Sequence, residues 1–377
     1  MLRRFGSWAG KGAPNAGRIG NTPRSAAGNP LRFPASLFLG FLCLSCAPAP
    51  PAQREFVLGT VCGVNLFEGG TRAAYNAVFA ELRRIQGIMA FTPASGGGED
   101  PNQEATALDR INRNAGIGPV TAPEELLEVL ERARYYAELS GGAFDPTVGP
   151  LVRLWGIGGE EPRIPAAAEI QEALSLVDWR DLLIDREAGT AFLRRPGQSL
   201  DLGAIAKGYA ADRAAAILRD RGVKRALIDL GGNILALGER PKGESWRIGV
   251  QDPREERGNP AGVLRVKNKS VVTSGVYERY FEVNGLRYHH ILSTEDGFPV
   301  RNGLLSATII AELSIDADAL STALFALGPE RGLALVESLP DTEAVFICED
   351  GTVIRSSGAP FTLEEGGYRL QDSRAAP

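Results

Sequence analysis

Ser199-Leu-Asp-Leu-Gly-Ala-Ile-Ala-Lys-Gly-Tyr-Ala-Ala-Asp212 is the stretch that orients the rest of the chain. Residues 199–202 read as a short strand. Small residues then let the backbone turn, and residues 204–221 read as a helix stopped by Gly222. A strand end thus delivers Asp201 beside a helix N-terminus, whose free N–H groups and positive dipole suit a phosphate. Lys207 adds a point charge. The pattern is not a Walker loop, because it lacks GxxxxGK[ST]. The spacing alone equally allows a glycine-containing strand–helix turn with an exposed lysine.

Working outward, residues 55–67 are rich in β-forming side chains and read as a strand. Residues 71–88 carry helical periodicity through Ala74, Val78, Leu82 and Ile85. A polar, glycine-rich loop is expected over 92–106. A helix is expected over 123–139, opened by Thr121 and ended by Ser140-Gly141-Gly142, and another over 166–176. Residues 225–237 read as strand, Gly231-Gly232 turn, strand. Residues 279–283 and 286–292 flank Asn284-Gly285, a strong hairpin signal. A strand (305–311), a helix (316–327) and a strand (344–347) follow, and residues from 369 on read as a loose tail. Helices and hairpins alternate without a βαβ rhythm, so the expected class is α+β with mixed sheets.

Three further clusters carry chemistry. In Asp316-Ala-Asp318-Ala-Leu-Ser321-Thr322, helical spacing brings the oxygens of Asp318, Ser321 and Thr322 onto one face. One carboxylate with hydroxyls suits magnesium, although plain N-terminal capping by Asp316 and Asp318 explains the acids as well. The pair His289-His290 falls in the predicted hairpin, where neighbours point to opposite faces, so one at most reaches a given site. Residues 140–155 (SGGAFDPTVGPLVRLW) read as a rigid, exposed Gly/Pro loop able to line a planar ligand, or as an ordinary connection.

The 377 residues are 44% hydrophobic and 23% charged, enough for a sizeable core. Six basic residues and no acid fall in residues 1–45; the remainder holds 35 basic against 46 acidic residues, a balance of −11. An acidic body argues against a nucleic-acid partner. With only two histidines and no CxxC in the folded part, a zinc site is not expected. Residues 35–46 form an apolar run too short to span a bilayer but suited to a signal-peptide core. Leu44-Ser45-Cys46 resembles the end of a bacterial lipobox. Residues 1–45 are therefore expected to be an export segment, and 46–54 a tether lipidated at Cys46, with a plain signal peptide or uncleaved anchor as the other readings.

Taken together, GGAFDPTVGPL, SLDLGAIAKGYAAD, LIDLGGN, TSG and ADALSTALFALG resemble the ApbE family of FAD:protein FMN transferases in order and spacing, from about Val57 to Cys348. The resemblance implies a two-lobed α+β domain over 55–368, related to the T-fold, with FAD in the cleft between lobes. It implies that the Ala204 carbonyl, Asp318, Thr322 and Ser321 hold Mg2+, and that Leu58, Ala143, Phe144, Asp145, Asp201, Lys207 and Leu292 contact FAD, Leu292 through its backbone. His290 matches the family histidine and is the implied base. FMN is expected to pass to a Thr or Ser hydroxyl of an exported or membrane electron-transfer protein, with release of AMP, in the periplasm-facing cell envelope. Water as acceptor would make the enzyme an FAD pyrophosphatase; a flavin-storing lipoprotein is the non-catalytic alternative. The chain departs from the family at Leu58, usually Met, at Met89-Ala-Phe-Thr-Pro, and at Ser293-Thr294, where Asp-Pro is expected.

Overall fold

The structure is a computed structural model that describes residues 51–91, 105–364 and 366–373. The export segment, Cys46 and most of the 92–106 loop lie outside the described residues. No described helix is long and apolar enough to cross a membrane.

The chain begins with β1 (Gln53–Val57), β2 (Thr60–Glu68), α1 (Arg72–Met89), α2 (Ala107–Arg113), β3 (Val120–Thr121), α3 (Glu124–Leu139), α4 (Gly149–Trp155) and α5 (Ala167–Leu174). It continues through β4 (Leu182–Asp185), β5 (Thr190–Leu193), α6 (Ala206–Asp220), β6 (Arg225–Leu230), β7 (Asn233–Leu237), β8 (Trp246–Gln251), β9 (Pro260–Val266) and β10 (Lys269–Gly275). It ends with β11 (Tyr280–Val283), β12 (Leu286–His289), β13 (Leu304–Ala311), α7 (Ser314–Glu337), β14 (Glu343–Cys348), β15 (Thr352–Arg355), β16 (Phe361–Leu363) and β17 (Arg369–Asp372).

A nine-stranded sheet in the order β1-β2-β6-β7-β10-β13-β14-β15-β17 is the frame, antiparallel except for the β15/β17 pair. Side chains alternate across it, as a pleated strand requires. Along β13 and β14, Ala307, Ile309, Ala344 and Phe346 join the main core beneath α1, α6 and α7. Their neighbours Ile310, Val345 and Ile347 instead meet Trp246, Leu264 and Phe361 of the three-stranded sheet β16-β9-β8. Burial on both faces explains why these strands read as continuous apolar runs. A smaller core of Leu151, Trp155, Ile170 and Leu292 ties α4 and α5 to the β11–β12 hairpin. The α+β class holds, and the described residues from 51 on pack around three cores within one compact unit.

Several local expectations are corrected. Residues 55–67 are two strands, because Leu58 and Gly59 both adopt positive φ (56° and 68°) and turn the chain back on itself. Residues 199–202 form no strand beyond a single bridge from Ser199 to Val148, and the following helix starts at Ala206. Pro123 stands at the N-cap of α3, while Thr121 belongs to β3. The helix expected to end at residue 327 continues to Glu337 across a kink at Gly328, whose φ is 83°. Residues 369–372, expected as a loose tail, are the sheet-edge strand β17. The 140–155 loop is not exposed: Phe144, Asp145 and Thr147 are buried, and Gly149 opens α4.

Candidate active site

The helices α6 and α7 hold each other by reciprocal caps. Asp212 of α6 accepts the N–H groups of Ser314 and Ile315 at the start of α7, both at 2.9 Å. Asp318 of α7 accepts the Gly208 N–H of α6 at 2.9 Å. These are charge-assisted bonds to otherwise unpartnered helix-terminal donors. They need a very close crossing: a Cβ placed on Gly208 would lie 2.3 Å from the Ser314 carbonyl oxygen. No side chain larger than hydrogen fits there.

The crossing gathers most of the predicted phosphate and metal residues. Asp318 is buried, and the Lys207 ammonium lies 3.3 and 3.4 Å from its two oxygens while donating to the Gly203 carbonyl at 2.6 Å. Asp201 closes a local turn by accepting the Gly203 N–H at 2.7 Å, and its own N–H donates to Pro146. Asn112 clamps the adjacent Leu200 from both sides, accepting its N–H and donating to its carbonyl. Burial raises the Asp201 pKa. Ala204 sits partly buried between this turn and α6.

Sequence reasoning missed Ser274, near the end of β10, although the TSG motif contains it. Its hydroxyl lies 2.8 Å from Ser321 Oγ and 3.3 Å from Thr322 Oγ1. Ser321 is fully buried and donates to the Asp318 carbonyl at 2.8 Å, whereas Thr322 stays partly exposed. Among the described residues no group of three or more His, Cys, Asp or Glu could hold a metal ion. A cation here would therefore rest on the Asp318 carboxylate, the Thr322 hydroxyl and a backbone carbonyl such as that of Ala204. This all-oxygen set fits a hard ion that keeps waters and borrows phosphate oxygens. Lys207 already demonstrates that a cation is held against Asp318.

The two histidines part company at the end of β12. His289 is buried, with Nε2 2.9 Å from the Val300 carbonyl and Nδ1 accepting the Ile291 N–H at 3.3 Å. Its ring meets Phe325 edge-on, and both nitrogens are engaged. His290 lies just beyond the strand, so its direction is set by a turn rather than by the alternation expected to residue 292. Its N–H donates to the Arg279 carbonyl at 3.1 Å, and Nδ1 lies 3.3 Å from the same oxygen. A proton on Nδ1 satisfies that carbonyl and leaves Nε2 with a free lone pair. Burial, with added repulsion from the Arg279 charge, lowers its pKa to about 3. The ring is thus neutral across the physiological range.

The expected flavin residues divide. Ala143 lines a cavity of about 580 Å³ together with Tyr288, Thr294, Phe298, Arg301 and Leu327. Leu58 is partly buried at the β1–β2 turn, its N–H donating to Gln86 Oε1 at 2.5 Å. Phe144 instead belongs to the main core. Asp145 turns inward, accepting Thr147 N–H (2.7 Å), Thr147 Oγ1 (2.6 Å) and Trp179 N–H (2.9 Å). Burial lifts its pKa to about 6 despite those bonds. Its carboxylate braces the loop that carries Ala143. The Leu292 side chain packs in the hairpin core, which leaves its backbone as the part able to meet a ligand. Thr294, at a position where the chain departs from the family pattern, donates to the Gly142 carbonyl at 2.7 Å and so ties the loop after His290 to the residue before Ala143.

Comparison with known proteins bears on this arrangement. The family model described as the ApbE family matches residues 58–346. An FAD:protein FMN transferase of Treponema pallidum is 38% identical over 324 residues, covering 81% of this chain and 87% of that protein. One from Klebsiella pneumoniae is 38% identical over 305 residues, covering 80% and 92%. Among solved structures, the ApbE protein of Thermotoga maritima superposes with a TM-score of 0.71 at 34% identity, covering 83% of this chain and 96% of that one. The flavinyl transferase ApbE of Pseudomonas stutzeri, in apo form, gives 0.67 at 30% identity, with 83% and 94% covered. With Asp201, Lys207, Asp318, Thr322 and His290 all inside the matched span, the chain belongs to the ApbE family.

Proposed function

We propose that this chain is an FAD:protein FMN transferase that moves FMN from FAD to a Thr or Ser hydroxyl of an acceptor protein and releases AMP. The observation that carries the reading is the Lys207–Asp318 pair held at the α6–α7 crossing, together with a neutral histidine whose Nε2 is left to accept a proton. In the reaction, the acceptor hydroxyl oxygen attacks the FMN-side phosphorus of FAD while His290 takes its proton. The bond to the bridging oxygen breaks, AMP leaves with that oxygen, and a phosphoester joins FMN to the acceptor. Lys207 neutralises pyrophosphate charge, and Asp201 orders the turn that presents the α6 N-terminus.

Mg2+ held by Asp318, Thr322 and the Ala204 carbonyl would supply further charge neutralisation of the pyrophosphate. The full burial of Ser321 and its bond to the Asp318 carbonyl favour a supporting role for it. The lipobox-like Cys46 supports export to the bacterial cell envelope and a lipid anchor facing the periplasm. An exported or membrane electron-transfer protein is the acceptor class reachable from there. The test is incubation with FAD and magnesium, with and without a flavin-acceptor protein, followed by mass spectrometry of acceptor and nucleotide. FMN on the acceptor with stoichiometric AMP supports the reading; free FMN and AMP regardless of acceptor would make the enzyme a pyrophosphatase.

A further inference from the structure

Arg279 stands out among the cations near the site. Its neighbours in sequence are engaged: Glu278 pairs with Arg257, and Tyr280 lies beneath Arg287. Among the described residues, the Arg279 guanidinium itself has no ion pair, hydrogen bond or ring contact. The side chain is exposed and runs between two glycines on separate turns. A Cβ on Gly158 would come within 3.2 Å of its Cδ, and one on Gly59 within 3.9 Å of its Nη2. Both glycines have positive φ (88° and 68°), so the slot is built from backbone that ordinary side chains disfavour. The same residue's carbonyl holds His290. Its charge is felt by His290 and by Asp201.

This is an unpaired, permanently charged fork on the residue whose carbonyl holds the neutral base, free to take an anion. We propose that Arg279 binds the phosphate that leaves with AMP. This rests on the transferase reading and names the group that stabilises its leaving half. As the phosphorus–oxygen bond breaks, the bridging oxygen takes the electron pair and the AMP phosphate gains one negative charge, while the hydroxyl proton goes to His290. A guanidinium presents several donors in a planar fork that matches phosphate oxygens, and it cannot lose its proton to the base beside it. The positive charge also discourages protonation of His290 before substrate arrives.

The test compares wild type, Arg279→Gln and Arg279→Lys for AMP and riboflavin binding by calorimetry and for single-turnover FMN transfer. Arg279→Gln should weaken AMP binding about tenfold or more and slow transfer about 10²–10³-fold, the usual cost of losing one donor to developing charge. Riboflavin binding, which involves no phosphate, should be unchanged. Arg279→Lys should recover part of both losses, having charge without the fork. Unchanged AMP affinity and transfer in Arg279→Gln, beside an active wild type, overturns the assignment alone. A wild type that binds AMP through Arg279 but transfers no FMN would instead sink the activity reading and leave the phosphate site standing.

Discussion

Gly208→Ala is a single-methyl test of the helix crossing. In an ordinary exposed helix position the change stabilises, by about 1 kcal/mol, because alanine has the better helix propensity. Here the new Cβ would meet the Ser314 carbonyl oxygen at 2.3 Å and Ile315 Cα at 2.6 Å. Both are backbone atoms that cannot rotate aside. Overpacking of this kind costs about 1–3 kcal/mol. Separating the helices also strains the Gly208 N–H bond to the Asp318 carboxylate, and bonds to charged groups are worth about 1.5–3 kcal/mol. Set against the propensity gain, the net expectation is a loss of about 2–4 kcal/mol. Gly87→Ala is the control: Gly87 lies exposed in α1 with no atom within 4 Å of a new Cβ, and should gain about 0.5–1 kcal/mol. Urea unfolding of the three proteins reads stability, and FMN transfer reads whether Asp318 has moved. If Gly208→Ala matches or exceeds wild type in both, the close crossing and the role given to it are wrong.

Other outcomes follow from the same geometry. His290→Asn should lose about 10²–10⁴-fold in single-turnover FMN transfer with FAD binding little changed. His289→Asn should chiefly lower stability, because its ring nitrogens serve Val300 and Ile291; a larger rate loss at His289 would reverse the assignment. Because the folded pKa of His290 is about 3, below the usual 6.5, its neutral form contributes stability that is complete above pH 6.5 and declines as pH falls toward 3. Urea titrations at several pH values should therefore show a smaller acid loss in His290→Asn than in wild type, and an equal loss would contradict the lowered pKa. Asp318→Ala should abolish magnesium-dependent turnover while FAD affinity falls less, with Thr322→Val milder; full activity of Asp318→Ala would leave only a capping role. Cys46→Ala should leave the protein unacylated, and continued uptake of labelled lipid would refute the anchor.

What could be read from sequence depended on whether local chemistry decided the outcome. Residues 225–237 and the Asn284-Gly285 hairpin were legible because turn residues and apolar runs agree there. The β1–β2 turn was not, because a leucine at φ 56° contradicts its own preference and is imposed by the sheet on either side. β17 was illegible because a short, largely exposed edge strand carries no apolar alternation. Asp318, Ser321 and Thr322 were found because helical spacing alone aligns them. Ser274 joins them only through the pairing of β10 with β13 and the packing of α7 on β10, which are long-range facts. Asp145 shows the opposite limit. Its position in the loop was legible, but not that its carboxylate turns inward to three donors.

The most direct test of the account is a single reaction containing the purified protein, FAD, magnesium and an exported acceptor protein bearing a Thr or Ser acceptor site. The account predicts one FMN covalently bound per acceptor, one AMP released for each, and loss of both when His290 is replaced by Asn. FAD left intact, or FMN transfer undiminished in His290→Asn, would contradict it.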